Sequence, residues 1–172
     1  MTASFEIRQN QSADFEQVLA LYPLAFPDED LTGLVRALLT DSAAVNLIAL
    51  QDSQPVGHLA LCPCPVTESD AQVALLGPLA VHPDVQKSGI GRALIQAGVQ
   101  TMERSGVTAI VLAGDPQYYG PQGFKAPCPI AAPYELPASW HDAWQIRVLS
   151  PACPSQGQLM VPPYWAKPEF WG

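Results

Sequence analysis

One stretch of the sequence constrains the fold more than any other, the apolar run Val73–Val81. A nearly continuous run of this kind is typical of a strand buried on both faces in the middle of a sheet, and it favours a strand over Gln72–Val81. The run contains Gly77 and Pro78. Because proline cannot donate a hydrogen bond to a neighbouring strand and glycine in a strand often marks a bulge, we expect this central strand to be distorted near its middle.

The central strand leads through a short loop, His82–Ser88, into a helix predicted over Gly89–Ser105. Two apolar stripes run along this helix, so we expect it to be largely covered, and Gly106 is a typical stop signal. The β-branched segment Thr108–Ala113 predicts another strand. A strand, a helix and a strand in this order indicate a crossover between neighbouring parallel strands.

Helices and a hairpin are predicted for the first part of the chain from its apolar periodicity and its turn residues. The predicted elements are a short strand around Phe5 and Ile7, a helix that Ser12 caps and that Pro23 and Pro27 end, a helix over Asp28–Thr40, antiparallel strands over Val45–Leu50 and Val56–Leu61, and a loop over Cys62–Asp70. The sheet is therefore expected to begin antiparallel.

The last part of the chain changes character at Pro116. Most of the 18 prolines and all four tryptophans lie from there on, so regular helix is not expected and strands are predicted over Trp144–Leu149 and Gln158–Val161. The aromatic residues of this tail close the core, line an acceptor pocket or form a dimer patch, and the sequence leaves these alternatives open. No linker or repeat divides the chain, which predicts one mixed α/β (α+β) domain over residues 1–172.

Composition excludes several classes of protein. Hydrophobic residues make up 48% of the chain and charged residues 14%, which is too apolar for intrinsic disorder. The longest apolar run is about half of what a membrane-spanning helix needs, and Met1–Gln11 lacks the pattern of a secretion signal, so we expect a cytoplasmic protein without a membrane partner. The four cysteines are predicted to be free thiols, and Cys62-Pro-Cys64 lacks the further ligands of a zinc site, so no metal is expected.

The charge balance bears on the partners of the protein. The formal net charge is −8 at pH 7. A field of that sign repels phosphate backbones and attracts small cations. We therefore expect a cationic substrate and no nucleic acid.

The segment Gln86-Lys87-Ser88-Gly89-Ile90-Gly91-Arg92 lies where the central strand passes into the helix. A helix N-terminus exposes unpaired N–H groups and the positive end of the helix dipole, and glycine lets a ligand approach them. Lys87 and Arg92 are two of only eight basic residues in the chain. The pattern therefore favours a phosphate-binding loop, the alternative being a tight turn built on Gly89 and Gly91. The spacing fits neither a Walker loop nor a dinucleotide fingerprint.

Two motifs give the chain a resemblance to a known family. The loop matches the pattern Q/R-x-x-G-x-G/A, and Tyr119–Phe124 matches Y-x-x-x-G-F. Together they resemble the signature of the GNAT-type N-acetyltransferases, most strongly over Leu75–Phe124, and the proline-rich tail resembles a bacterial subgroup of unassigned substrate. The resemblance implies a GNAT-like, partly splayed central sheet with helices on both faces. It also implies acetyl-CoA as cosubstrate and transfer of its acetyl group to a primary amine by direct attack.

The resemblance further implies which residues hold acetyl-CoA. A bulge in the central strand would free backbone groups for the pantetheine arm and an N–H for the thioester carbonyl, and the glycine loop would wrap the pyrophosphate. The implied strand residues are Leu79, Ala80 and Val81, and the implied loop residues are Gln86, Lys87, Ser88, Gly89, Ile90, Gly91 and Arg92.

Two residues are implied to be catalytic. Tyr119 occupies the family position that protonates the departing sulfur, and a phenol with a reference pKa of about 10 is protonated at neutral pH. The alternative for an aromatic residue here is core packing, for which Tyr118 is the better candidate. Asp115 is the candidate general base, but its position before a proline equally suits a helix N-cap. Glu68 and His82 are further candidates for the base.

Two functions remain in competition. One is an enzyme that acetylates a small cationic metabolite, a peptide or a protein amine, and the other is a non-catalytic acyl-CoA-binding sensor or interaction module. Tyr119 favours the enzyme. Acetyltransferase toxins directed at transfer RNA need a basic face, which a net charge of −8 argues against. A homodimer is one expectation for the aromatic tail.

Overall fold

The sheet begins antiparallel and acquires a parallel pair, as the sequence predicts. In the computed structural model, which describes residues 4–172, six strands follow one another in the order β1-β2-β3-β4-β5-β6. The strands are β1 (Glu6–Gln9), β2 (Val45–Gln51), β3 (Gln54–Pro65), β4 (Gln72–Val81), β5 (Ala109–Ala113) and β6 (Trp144–Val148). β1 and β3 pair antiparallel with β2, β4 pairs parallel with β5, and β6 pairs antiparallel with β5. The mixed α/β fold class is confirmed.

Four α-helices are present among the described residues. They are α1 (Phe15–Ala25), α2 (Thr32–Thr40), α3 (Ile90–Arg104) and α4 (Pro116–Tyr119), and short 3-10 turns lie between other elements. α3 is the predicted crossover helix, and Gly106 follows it with a φ of 80°. Within residues 4–172 no helix combines the length and the apolar character that crossing a membrane would require.

The chain divides into two compact units. The first comprises Met1–Cys62 and Leu76–Thr101, and the second comprises Pro63–Leu75 and Met102–Gly172. The divisions fall inside β3, β4 and α3. The chain therefore passes between the units within regular elements and not through linkers.

In the first unit, two glycines let α3 lie close to β3. A Cβ atom added at Gly57 would lie 3.0 Å from Ile90 Cγ2, and one added at Gly98 would lie 2.8 Å from Leu61 Cδ1. A larger side chain at either position would meet buried side chains of the core, which would have to shift or move the helix outward. The two glycines therefore allow a close approach of α3 to β3.

A buried polar chain also belongs to the first unit. The Tyr22 hydroxyl lies 2.6 Å from His58 Nδ1, His58 Nε2 lies 3.0 Å from Asn46 Oδ1, and Asn46 Nδ2 donates to the Leu38 carbonyl at 2.8 Å. Because Asn46 uses its NH₂ group on Leu38, its Oδ1 accepts, so His58 carries its proton on Nε2 and accepts from Tyr22. His58 is 0% exposed, and burial lowers its pKa to about 3. His58 is therefore neutral in the folded protein.

Tryptophans close the core of the second unit. Trp144 packs edge-on against Trp171, with ring centroids 5.8 Å apart, and Trp165 lies 5.8 Å from Trp171. The indole N–H groups of Trp144 and Trp171 donate to the carbonyls of Ile130 and Trp165. All three rings are buried, so for them the core alternative holds.

Three boundaries predicted near the N-terminus are wrong. Ser12 does not cap α1: it opens a 3-10 turn, and the Asp14 carboxylate accepts the Gln11 N–H at 2.6 Å. Pro23 lies inside α1 and does not end it. α2 begins at Thr32, not at Asp28, because the acids precede the helix and Asp30 accepts the Thr32 N–H. Side-chain acceptors before a helix compete with the helical conformation itself.

Two predictions of loop and strand are also wrong. Cys62–Pro65 continues β3 and is not a loop, since Cys62 and Cys64 are buried and pack as small apolar residues. Gln158–Val161 is not a strand, and only isolated bridges from Gln158 to Ala131 and from Leu159 to Val66 are formed there.

Candidate active site

The strand β4 is irregular where the sequence predicts a distortion. Its ladder with β5 covers Val73 to Leu75, although β4 itself runs on to Val81. Gly77 has a φ of 138°, a conformation that side chains of other residues rarely adopt. The prediction of a distorted strand is confirmed, and Leu79–Val81 lie beyond the irregular point.

The loop after β4 presents a row of unpaired backbone amides. Among the described residues, the N–H groups from Lys87 to Arg92 have no hydrogen-bond partner, and the first helical bond of this turn runs from Ala93 N–H to the Gly89 carbonyl at 3.0 Å. Gly89 has a φ of 89°, and a Cβ added there would meet nothing within 4 Å. Lys87 also adopts a positive φ, 61°, a conformation that is uncommon outside glycine and often marks functional sites. The space beside Gly89, within this row, is therefore open.

Side chains of the same segment fold back and brace the loop. Gln86 Nε2 donates to the Val81 carbonyl at 3.1 Å, and the Ser88 hydroxyl donates to the Val85 carbonyl. His82 accepts the Asp84 N–H at 3.2 Å and so acts as a cap at the strand exit. The side chains of the predicted binding residues Gln86 and Ser88 are thus used within the protein, and these residues present their backbone groups to a ligand.

The charges of the loop remain available. Lys87 and Arg92 are exposed, and within the described part of the chain neither forms an ion pair. The Ile90 side chain is 3% exposed and packs α3 against Gly57 of β3. Amides and two cations at the N-terminus of a long helix suit an anion such as a pyrophosphate.

The second candidate region surrounds α4. Asp115 is the N-cap of this helix: its Oδ1 accepts the Gln117 N–H at 2.9 Å, and its carbonyl accepts the N–H groups of Tyr118 and Tyr119 at 3.0 Å. The N-cap alternative is therefore realised. The carboxylate is exposed, and its role as a general base stays a prediction.

Of the two adjacent tyrosines, Tyr119 is the more buried, whereas the sequence favoured Tyr118 for core packing. Tyr118 is 43% exposed, so its assignment to the core is wrong, whereas Tyr119 is half-buried and lies edge-on to Phe124 with ring centroids 5.9 Å apart. Burial and then the neighbouring Tyr118 raise the pKa of Tyr119 well above the usual range of a phenol. No hydrogen bond reaches its hydroxyl within residues 4–172. A protonated phenol with a free hydroxyl can donate to a ligand.

Family comparison decides what the two regions belong to. The model of the Acetyltransferase (GNAT) family matches residues 13–120. The chain belongs to the GNAT acetyltransferase family. The match spans the loop Gln86–Arg92 and both candidate catalytic residues, and it ends before Gly123 and Phe124 of the second motif.

Relatives agree with the GNAT assignment. The uncharacterized N-acetyltransferase YhbS of Escherichia coli (strain K12) is 30% identical over 149 residues, with 84% of this chain and 87% of that protein covered. The uncharacterized N-acetyltransferase YjhQ of the same strain is 28% identical over 155 residues, with 85% of each covered.

Solved GNAT structures share the fold. The structure of YhbS from Escherichia coli in complex with CoA superimposes with a TM-score of 0.86 at 24% identity, covering 97% of this chain and 94% of that one. A GNAT acetyltransferase from Brucella melitensis in complex with acetyl-CoA has a TM-score of 0.78 at 26% identity, covering 95% and 99%. The predicted GNAT-like architecture is confirmed.

The two GNAT motifs lie in different units of this chain. Leu79–Val81 and Gln86–Arg92 belong to the first unit, and Asp115 and Tyr119 belong to the second. The structure brings together the residues within each group. It also adds Gly114, which sequence reasoning missed: a Cβ there would lie 2.4 Å from Tyr119 Cε2. A glycine directly before the capping residue was the available signal.

Proposed function

We propose that this GNAT protein is an acetyl-CoA-dependent N-acetyltransferase that acetylates a primary amine of a small cationic metabolite, a peptide or a protein. The observation that carries the proposal is the row of unpartnered amides from Lys87 to Arg92 at the start of α3. The CoA and acetyl-CoA complexes of the similar YhbS and Brucella melitensis structures support it.

Binding is assigned to the first unit. The amides from Lys87 to Arg92 would hold the pyrophosphate, with the ammonium of Lys87 and the guanidinium of Arg92 adding charge. The backbone of Leu79–Val81 would bond the pantetheine arm, and an N–H there would stabilise the oxyanion of the tetrahedral intermediate.

The chemistry is a direct acyl transfer. The amine nitrogen attacks the thioester carbonyl carbon, the C–S bond breaks, and the thiolate takes a proton while the amine loses one. An ammonium with a pKa of about 10.4 must first be deprotonated, which costs roughly 4.6 kcal/mol at pH 7 without assistance. Asp115 is the proposed base, acting through a water on its exposed carboxylate. Tyr119 is the proposed donor to sulfur, because burial keeps its phenol protonated.

Thiol release from acetyl-CoA tests the enzyme directly. We expect release that depends on one acceptor class in a panel of polyamines, aminoglycosides, amino acids and basic peptides. A blank without acceptor is needed for the protein's own cysteines, although Cys62 and Cys64 are buried and burial raises the pKa of Cys128 to about 11. Silence across the panel with acetyl-CoA still raising the melting temperature would favour the non-catalytic module, and silence in both assays would overturn the acetyl-CoA proposal.

A matched pair of glycines tests the loop. Gly89 and Gly106 flank α3, both have positive φ, and a Cβ at either meets nothing within 4 Å. Gly89→Leu and Gly106→Leu therefore share the same backbone strain, about 1–2 kcal/mol, but only Gly89→Leu covers the amide row. We expect Gly89→Leu to weaken acetyl-CoA binding about 100-fold by calorimetry and Gly106→Leu to leave the affinity unchanged. Equal affinities in the two variants would overturn the assignment of the loop.

A further inference from the structure

We infer that Gly114 is a positioning residue, which sets the place of the Tyr119 hydroxyl by leaving room for the Tyr119 ring. The inference rests on the proposed function of Tyr119 as the proton donor. All the contacts that carry it lie within the second unit.

The backbone of Gly114 is held on both sides. Its N–H donates to the Ala143 carbonyl at 2.9 Å, and its carbonyl accepts from Gln145 Nε2 at 3.1 Å. Gln145 is 1% exposed, so this amide has no freedom to follow a displaced chain. Gly114 cannot move away from a neighbour without losing buried hydrogen bonds.

The backbone conformation does not require glycine at this position. The φ of Gly114 lies outside the left-handed region, unlike that of Gly106, Gly123 or Gly157. Its φ is therefore open to residues with side chains. The space around Gly114 supplies a steric reason for a glycine.

The steric reason is the ring of Tyr119. A Cβ at Gly114 would lie 2.4 Å from Tyr119 Cε2 and 2.8 Å from its Cδ2, separations that real Cβ atoms essentially never show, and 3.3 Å from Leu112 Cδ1. The ring has edge contacts with Tyr118 and Phe124, at centroid distances of 4.9 and 5.9 Å. The backbone of Tyr119 is fixed by its bond to the Asp115 carbonyl. A methyl group at position 114 must therefore rotate the ring, and the hydroxyl, at the far end of that ring, moves most.

The neighbouring Gly120 offers a matched control. It follows Tyr119 directly, has an ordinary φ of −53°, and a Cβ there meets nothing within 4 Å. Gly120→Ala adds the same methyl group beside the same tyrosine without touching the ring.

The experiment is a double-mutant cycle on the acetyl-transfer rate. We expect Gly114→Ala to lower kcat about 10- to 100-fold with the KM for acetyl-CoA unchanged, as for a misplaced reacting group, and Gly120→Ala to change neither. In a Tyr119→Phe background, Gly114→Ala should cost nothing further, because the hydroxyl that it misplaces is already absent. The same loss in both backgrounds would overturn the inference.

A spectroscopic readout separates the inference from the proposed function. In protein labelled with 3-fluorotyrosine, Tyr119→Phe identifies the fluorine resonance of Tyr119. Gly114→Ala should shift that resonance and Gly120→Ala should not. An unmoved resonance in Gly114→Ala would overturn the inference that Gly114 sets the position of the Tyr119 ring. A Tyr119→Phe enzyme with full kcat would instead overturn the donor role in the proposed function and, with it, the catalytic part of this inference.

A second variant covers the case in which Gly114→Ala does not fold. Adding Tyr119→Leu removes the ring carbons that the new methyl group meets, so Gly114→Ala/Tyr119→Leu should recover the melting temperature of Tyr119→Leu alone. Failure to recover it would show that something other than the ring excludes a side chain at position 114.

Discussion

The loop before α3 presents backbone amides as its proposed binding groups, whereas the end of α4 presents one proposed catalytic side chain, that of Tyr119. The amide row from Lys87 to Arg92 is made by consecutive residues, and its own side chains brace it from within. Tyr119 depends on Gly114, Phe124 and Tyr118 for its place. Substituting side chains should therefore perturb the second region far more than the first.

The largest effect on kcat is expected from removing the Tyr119 hydroxyl. Tyr119→Phe keeps the ring and its packing but removes the proposed proton donor, and it should lower kcat about 100-fold. Tyr118→Phe is the matched control, since Tyr118 is exposed and should lose less than about twofold. Steady-state kinetics with a saturating acceptor measures both. Equal losses in the two variants would contradict a specific role for Tyr119.

A second test concerns the loss of folding stability at acid pH, which we assign to the first unit. His58 of the first unit has a folded pKa of about 3, while its unfolded value is about 6.5. The unfolded chain therefore binds more protons between these values, so stability is lost as the pH falls below about 6.5. From pH 7.5 to 5 this one group should lower the free energy of unfolding by about 2 kcal/mol.

Denaturant unfolding across that pH range measures the loss. His58→Gln should remove the pH slope, at some cost in stability at neutral pH, whereas His141→Gln, at an exposed position, should leave the slope unchanged. A slope that survives His58→Gln would assign the acid sensitivity to other groups.

The smallest expected effect tests whether the loop binds through its backbone. Lys87→Ala/Arg92→Ala keeps every amide and removes two exposed charges, so acetyl-CoA affinity should fall only about 5- to 10-fold, and less at high salt. Lys125→Ala/Lys167→Ala, at exposed positions of the second unit, is the control for net charge. A loss as large as that of Gly89→Leu would mean that the side chains hold the phosphates.

The same contrast explains which parts of the molecule the sequence predicts. The central strand, the crossover helix and the loop Gln86–Arg92 are all encoded by neighbouring residues, through an apolar run, a helical period and a glycine pattern. Gly77 and Pro78 likewise mark the irregular point of β4 because both act on the local backbone. Local determinants can be read from a local pattern.

What the sequence misses depends on contacts between distant residues. Nothing in the adjacent Tyr118 and Tyr119 indicates which ring is the more buried, because Phe124 and Gly114 decide it. The buried bond from His58 to Asn46 and Tyr22 joins three separate elements. Cys62 and Cys64 extend β3 because the core accepts small thiols there.

The positions of the tryptophans make intrinsic fluorescence a probe of one unit. All four tryptophans, at positions 140, 144, 165 and 171, belong to the second unit. Intrinsic fluorescence excited at the red edge of protein absorption therefore reports on that unit alone, while far-ultraviolet circular dichroism is dominated by the long helices α1 and α3. Superimposable transitions from the two signals would show that the units melt as one cooperative system, and separate transitions would resolve two.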